Sequence, residues 1–183
     1  ITKDVIQNPN FDRHVSLGFN YRMSELCAGA ALGQVEHMEE LIQRRVDVAN
    51  LFADAIKGCD WLIPQAVPEG YTNAYWAFAP RIMHPTVSWS DFRKRFMELG
   101  GDGIYAAWKL SYLEPMFQTK DFSGKERIIE KFHPEPLQEW KEGLCPVAEK
   151  VQKQILAFKT NYWDWSRAEK QAEILKKTII SFF

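Results

Sequence analysis

The chain has 183 residues, 46% of them hydrophobic and 26% charged, with a formal net charge of -1. Such a chain can bury the core of a soluble globular domain, and its near-neutral balance lacks the basic footprint of a nucleic-acid or anionic-membrane binder. No apolar run is long enough to span a bilayer.

Residues 1–22 carry Asn8, Pro9, Asn10 and Gly18 among scattered apolar residues, a loop composition. The start at Ile1-Thr2-Lys3-Asp4 has neither an initiator Met nor a signal-peptide pattern, so the chain is expected to begin inside a longer polypeptide. From Met23 the spacing changes. Leu26, Ala30, Val35, Met38, Leu41, Ile42, Ala49, Phe52 and Ile56 recur at helical steps, with Ser24 to cap the start and Gly58 to end it. This spacing predicts one helix over 23–58, roughly 50 Å long, with Glu40 and Arg44 as a favourable four-apart pair.

Beyond it, Asn73–Ala79 has the composition of a buried strand closed by Pro80, and Arg81–Met83 extends it. Ser88 opens a helix to about Leu99, stopped by Gly100-Gly101, and Ile104–Trp108 is a second short strand. Residues 111–142 are rich in loop signals. Two late helices are expected, Pro146 to Phe158 and Ser166 to Ile180. Few short strands among many helices predict an α+β fold: a long N-terminal connecting helix and a small, mostly antiparallel sheet covered by helices.

Chemistry-bearing clusters are sparse. Cys27, Cys59 and Cys145 are odd in number and match no metal spacing, which predicts reduced thiols and a cytoplasmic protein. The four histidines are isolated, and Gly100-Gly101-Asp102-Gly103 has a turn's composition rather than a phosphate loop's. The informative run is Gly18-Phe19-Asn20-Tyr21-Arg22-Met23-Ser24-Glu25, an irregular polar turn at the start of a helix. Unpaired N–H groups and the helix dipole favour an anion there. Asn20 can donate an amide N–H to a phosphate, and Arg22 offers a planar charged fork.

That run, continued by Leu26 and Ala30-Ala31-Leu32-Gly33-Gln34-Val35-Glu36, resembles the DegT/StrS-type family of nucleotide-sugar aminotransferases, enzymes of fold type I that use pyridoxal 5'-phosphate. Two further blocks agree in order: Gly103-Ile104 through Trp108, Tyr112, Leu113, Glu114, Pro115, Met116 and Phe117, and then Cys145-Pro146-Val147-Ala148-Glu149. The match covers nearly the whole chain but only the family's C-terminal half. It implies that 1–22 is a loop segment of the large domain carrying the Asn-Tyr-Arg turn, 23–58 the connecting helix and 59–183 the small domain.

The resemblance also implies a homodimer in which Asn20 reaches the cofactor phosphate of the neighbouring subunit, with Tyr21, Arg22, Trp108 and Tyr112 toward the nucleotide-sugar substrate. The amino donor would be an amino acid, usually glutamate, acting in surface-polysaccharide or related sugar biosynthesis. The Schiff-base lysine and the aspartate paired with the pyridinium nitrogen belong to the half not represented, so no catalytic residue is assigned and the chain alone is expected to be inactive. Relatives usually carry histidines at the positions of Ala107 and Tyr112, a departure at the substrate pocket. Tyr162, Trp163 and Trp165 form an unusual aromatic tail. A dehydratase of the same family and a non-catalytic dimerisation or interaction module remain open alternatives.

Overall fold

The computed structural model describes residues 10–18, 21–102, 104–120, 128–133, 135 and 138–183. They fall into two compact units. One joins the described residues up to Arg22 with those of Ala107–Lys153; the other joins Met23–Ala106 with Gln154–Phe183. The 59–183 stretch expected as one domain thus contributes to both units.

The second unit holds most of the regular structure. Its helices are α1 (Glu25–Glu36), α2 (Met38–Ala55), α3 (Trp89–Glu98) and a C-terminal helix, Trp165–Ile180. Its strands are β1 (Leu62–Ile63), β2 (Ala77–Phe78), β3 (Arg81–Ile82), β4 (Ile104–Ala106) and β5 (Leu156–Lys159). β1 and β3 pair antiparallel, and β5 lies between β2 and β4 in a three-stranded antiparallel sheet. The first unit contains a 3-10 turn (Ser111–Leu113) and three short helices, α4 (Pro115–Gln118), α5 (Ile128–Phe132) and α6 (Pro146–Gln152). The C-terminal helix is therefore α7. The small antiparallel sheets flanked by helices match the expected α+β class.

Several local signals act as expected. The Ser24 hydroxyl accepts the N–H of Cys27 at the start of α1. Ser88 and Asp91 form a reciprocal capping box on α3. Gly58 and Gly100 take positive φ values where helices end.

Four expectations are corrected. The run over 23–58 is two helices: His37, with φ -110° and ψ 13°, closes α1 and opens α2. Arg44 turns to the carbonyl of Trp163, 3.1 Å away. The proposed strand over 73–83 is two separate strands, because Ala77–Phe78 pairs with β5 and Arg81–Ile82 pairs with β1 on either side of Pro80, which has no N–H to give. The late helix from Pro146 stops at Gln152, and Leu156–Lys159 becomes the central strand β5, with Leu156 and Phe158 buried and Ala157 and Lys159 half-buried. Alternation with a period of two puts both on the core side.

Phe158 is the centre of that core. Its ring lies 5.5 Å from Phe52 of α2 and 5.5 Å from Phe96 of α3, centroid to centroid, with Phe78 and Phe92 at 6.4 and 6.5 Å. Tilted and edge-on aromatic pairs of this kind add to the burial of their area. Ala168, Ala172 and Leu175 of α7 close the layer over α2 and α3. Behind it, the Asp102 carboxylate takes the Tyr162 hydroxyl at 2.7 Å and Lys159 Nζ at 2.6 Å, and its N–H donates to Gln171 at 2.9 Å. Burial first, then this acceptor, push the Tyr162 phenol far above its ordinary value. By contrast α1 buries none of its side chains, and Leu26, Leu32 and Val35 are exposed.

Truncating the central ring should leave a void that four other rings cannot fill. Phe158→Ala is expected to lower unfolding stability by about 3–5 kcal/mol in denaturant titration, and a loss under about 1 kcal/mol would contradict the packing described.

Candidate substrate-facing site

Among its described residues, the first unit is held by hydrogen bonds rather than by a large apolar core. Glu114 is 1% exposed. One of its oxygens accepts the N–H of Arg13 at 3.0 Å and that of His14 at 3.2 Å, and the other lies 3.1 Å from His14 Nδ1. The His14 carbonyl in turn accepts the N–H of Met116 at 3.0 Å. A carboxylate placed here is affordable only because donors converge on it. Burial pushes the Glu114 carboxyl upward, but the two backbone N–H groups and His14 outweigh burial and hold it below the ordinary value. A depressed carboxyl stabilises the unit above the usual carboxylate range, near pH ~4.3, and that contribution is lost on acidification below it.

The strap so anchored carries side chains onto the block that follows β4. The Arg13 guanidinium lies over the Trp108 ring, 4.2 Å from its centroid, and Lys109 pairs with Asp12. Stacking uses the flat face of the guanidinium, and donation uses its edges. From the other side, Gln152 of α6 donates to the Trp108 carbonyl at 3.0 Å. Trp108 itself is half exposed, at 49%.

Tyr112 sits in the 3-10 turn with its hydroxyl donating to Glu149 of α6. The same Glu149 oxygen accepts the N–H of Gly143 at 2.8 Å and that of Cys145 at 3.3 Å, which closes the N-terminus of α6. The phenol bond chiefly holds the Glu149 carboxyl below its usual value. Loss of hydration and then Glu149 push the Tyr112 phenol up to about 12. Gln118 bridges the carbonyls of Tyr112 and Trp140 at 2.8 and 2.7 Å.

Of the residues singled out in the sequence, Tyr21 (91% exposed) and Arg22 belong to this unit and stand at the surface. Trp108 and Tyr112 lie together on the 107–118 block, Trp108 stacked with Arg13 and the Tyr112 proton committed to Glu149. Asn20 lies outside the described residues. Arg13 and Lys109 were not singled out, and Glu149 stood in a quoted block without a role. Glu114 stood in a quoted block without a role, its one local signal being Pro115 immediately after it, at the start of α4.

Arg22 and Tyr21, both exposed just before α1, set a planar cation and a phenol at the surface, a pair chemically suited to an anion.

The model of the DegT/DnrJ/EryC1/StrS aminotransferase family matches residues 3–157. A GDP-perosamine synthase of Vibrio cholerae is 27% identical over 63 residues, 34% of this chain and 17% of that protein. Among solved structures, S. venezuelae DesV, in complex with a ketimine intermediate, aligns with a TM-score of 0.65 at 16% identity, over 96% of this chain and 42% of its own. The putative sugar aminotransferase Spr1654 of Streptococcus pneumoniae, in its PMP form, gives 0.63 at 13% identity, over 88% and 36%. A 3-amino-5-hydroxybenzoic acid synthase gives 0.60 at 16%, over 97% and 45%. The chain therefore spans under half the length of these relatives. It belongs to the DegT/DnrJ/EryC1/StrS aminotransferase family.

The Tyr112–Glu149 bond has a spectroscopic consequence. The phenolate absorbance of the wild type minus that of Tyr112→Phe should titrate around pH 12; a midpoint near the ordinary ~10 would contradict the bond. A phenol raised in the folded state stabilises α6 fully below that ordinary range, and the contribution fades as pH climbs toward the raised value.

Proposed function

We propose that this member of the DegT/DnrJ/EryC1/StrS family is the C-terminal part of a pyridoxal-phosphate-dependent sugar aminotransferase, transferring an amino group, with glutamate as donor, to the keto carbon of a nucleotide-linked deoxysugar. It would work as a cytoplasmic homodimer in surface-polysaccharide or related sugar biosynthesis. One observation carries this reading beyond the family match. The segment leading toward Tyr21 and Arg22 is tied through Glu114 to the Trp108–Tyr112 block, inside one compact unit. Tyr21, Arg22, Trp108 and Tyr112, the residues that the family resemblance assigns to the substrate, thus belong to one body.

When bound, the cofactor supplies an electron sink for the carbanion formed at the amino-bearing carbon. The residues of this chain bind and orient. Asn20 donates an uncharged N–H to the phosphate of the cofactor in the partner subunit. Arg22 meets the substrate diphosphate with a planar, permanently charged fork, and Tyr21 packs beside it. Trp108 presents an indole ring to the apolar face of the sugar. Tyr112 shapes the pocket through its bond to Glu149, its hydroxyl oxygen remaining an acceptor for a sugar hydroxyl. The exposed apolar side chains of α1 suit a helix that the rest of the enzyme covers.

The test is reconstitution. The chain is combined with the complementary N-terminal part of the enzyme, pyridoxal phosphate, glutamate and a panel of nucleotide-linked keto-deoxysugars. Oxoglutarate and aminosugar should form together, and neither should form with the chain alone. Assembly with cofactor bound but no transfer to any sugar of the panel would overturn the aminotransferase reading in favour of an interaction module.

A further inference from the structure

The first unit holds a buried charge that the roles above leave unused. Glu114 is almost wholly removed from solvent, yet it contacts neither the Trp108 ring nor the Tyr112 hydroxyl in the bonds described; its carboxylate is spent on the backbone N–H groups of two consecutive residues, Arg13 and His14, and on the His14 ring. Gripping two successive N–H groups with one carboxylate oxygen fixes the local backbone direction as well as its position, since both donors must point at one atom. The side chain between them has little choice of where to go. Arg13 lies over Trp108 at 4.2 Å, and the Trp108 backbone is itself fastened by Gln152. On the C-terminal side, the N–H of Met116 returns to the His14 carbonyl at 3.0 Å, so the strap is bonded on both edges.

We propose that Glu114 is a positioning residue: its hold on the Arg13–His14 backbone lays the Arg13 guanidinium on Trp108 and so presents the two as one preassembled surface to the anionic, nucleotide-linked end of the substrate. This rests on the aminotransferase reading above and adds to it one positioning residue and one binding residue, Arg13. A guanidinium supported on an indole loses less freedom on meeting a diphosphate than a loose one. Glu114 therefore acts on substrate binding and leaves the chemical step alone.

Two variants separate this from a purely structural role. Glu114→Gln keeps the shape and one oxygen for both N–H groups but removes the negative charge that strengthens those bonds. Arg13→Ala removes the guanidinium and leaves both backbone N–H groups on Glu114. Amide hydrogen exchange, followed residue by residue in the chain, should show protection of Arg13 and His14 falling about tenfold or more in Glu114→Gln. Protection in β5 should stay as in the wild type, as should that of His14 in Arg13→Ala. In the reconstituted enzyme, both variants should raise KM for the nucleotide sugar about tenfold with kcat within about twofold, the pattern of lost binding shared by ground and transition states.

Unchanged protection of Arg13 and His14 in Glu114→Gln would overturn the proposal. So would freed amides with an unchanged KM, or a KM effect confined to Glu114→Gln. Failure of the wild-type enzyme to transfer to any nucleotide sugar would instead overturn the reading on which the proposal stands.

Discussion

A carboxylate can be buried only where donors meet it, and in this chain that requirement joins two segments about a hundred residues apart. An isolated charge in a protein interior costs several kcal/mol. Glu114 escapes that cost because Arg13 and His14 bring their N–H groups to it. The order of the first unit follows from this contact: the strap lies along the 107–118 block, Arg13 covers Trp108, and the loop toward Tyr21 and Arg22 leaves from a fixed point. The short helices α4 and α6 serve the same region through their ends. Pro115 starts α4 directly after the anchoring carboxylate, and Glu149 of α6 holds Tyr112 while closing its own helix.

The second unit rests on a different constraint, the packing of rings around one strand. β5 is central in its sheet and carries Phe158 into the space between α2 and α3. Thr160, just beyond the strand, accepts from Arg45 of α2 at 3.1 Å and donates to the Tyr75 carbonyl. Tyr75 holds a φ of 46°, unusual for a residue with a side chain. The aromatic tail divides accordingly: Tyr162 is buried against Asp102, while Trp163 and Trp165 stay at the surface.

The sequence made legible what local chemistry decides. Ser24, Ser88, Gly58 and Gly100 mark helix ends because caps and left-handed turns depend on a few adjacent residues. The family resemblance added the order of the blocks, and the family match bears it out. The missed features depend on distant partners. Ala148, Val151 and Ile155 continue a helical period into β5, and only pairing with β2 and β4, fifty or more residues earlier, turns Leu156–Lys159 into a strand. No Gly or Pro marks the break at His37. The two-residue strand β1 is too short for a period to show. Glu114 resembles any surface glutamate until Arg13 and His14 arrive, so its role was invisible to a reading along the chain.

The central claim is that the turn before α1 grips the phosphate of pyridoxal phosphate held in the companion subunit. Cofactor affinity of the assembled enzyme with Asn20→Ala tests it most directly, measured by titrating apoenzyme with pyridoxal phosphate and following the bound chromophore. The account predicts binding weakened about tenfold or more, the scale of one charge-assisted hydrogen bond, with the order of preference among nucleotide sugars unchanged. An affinity equal to that of the wild type would contradict it.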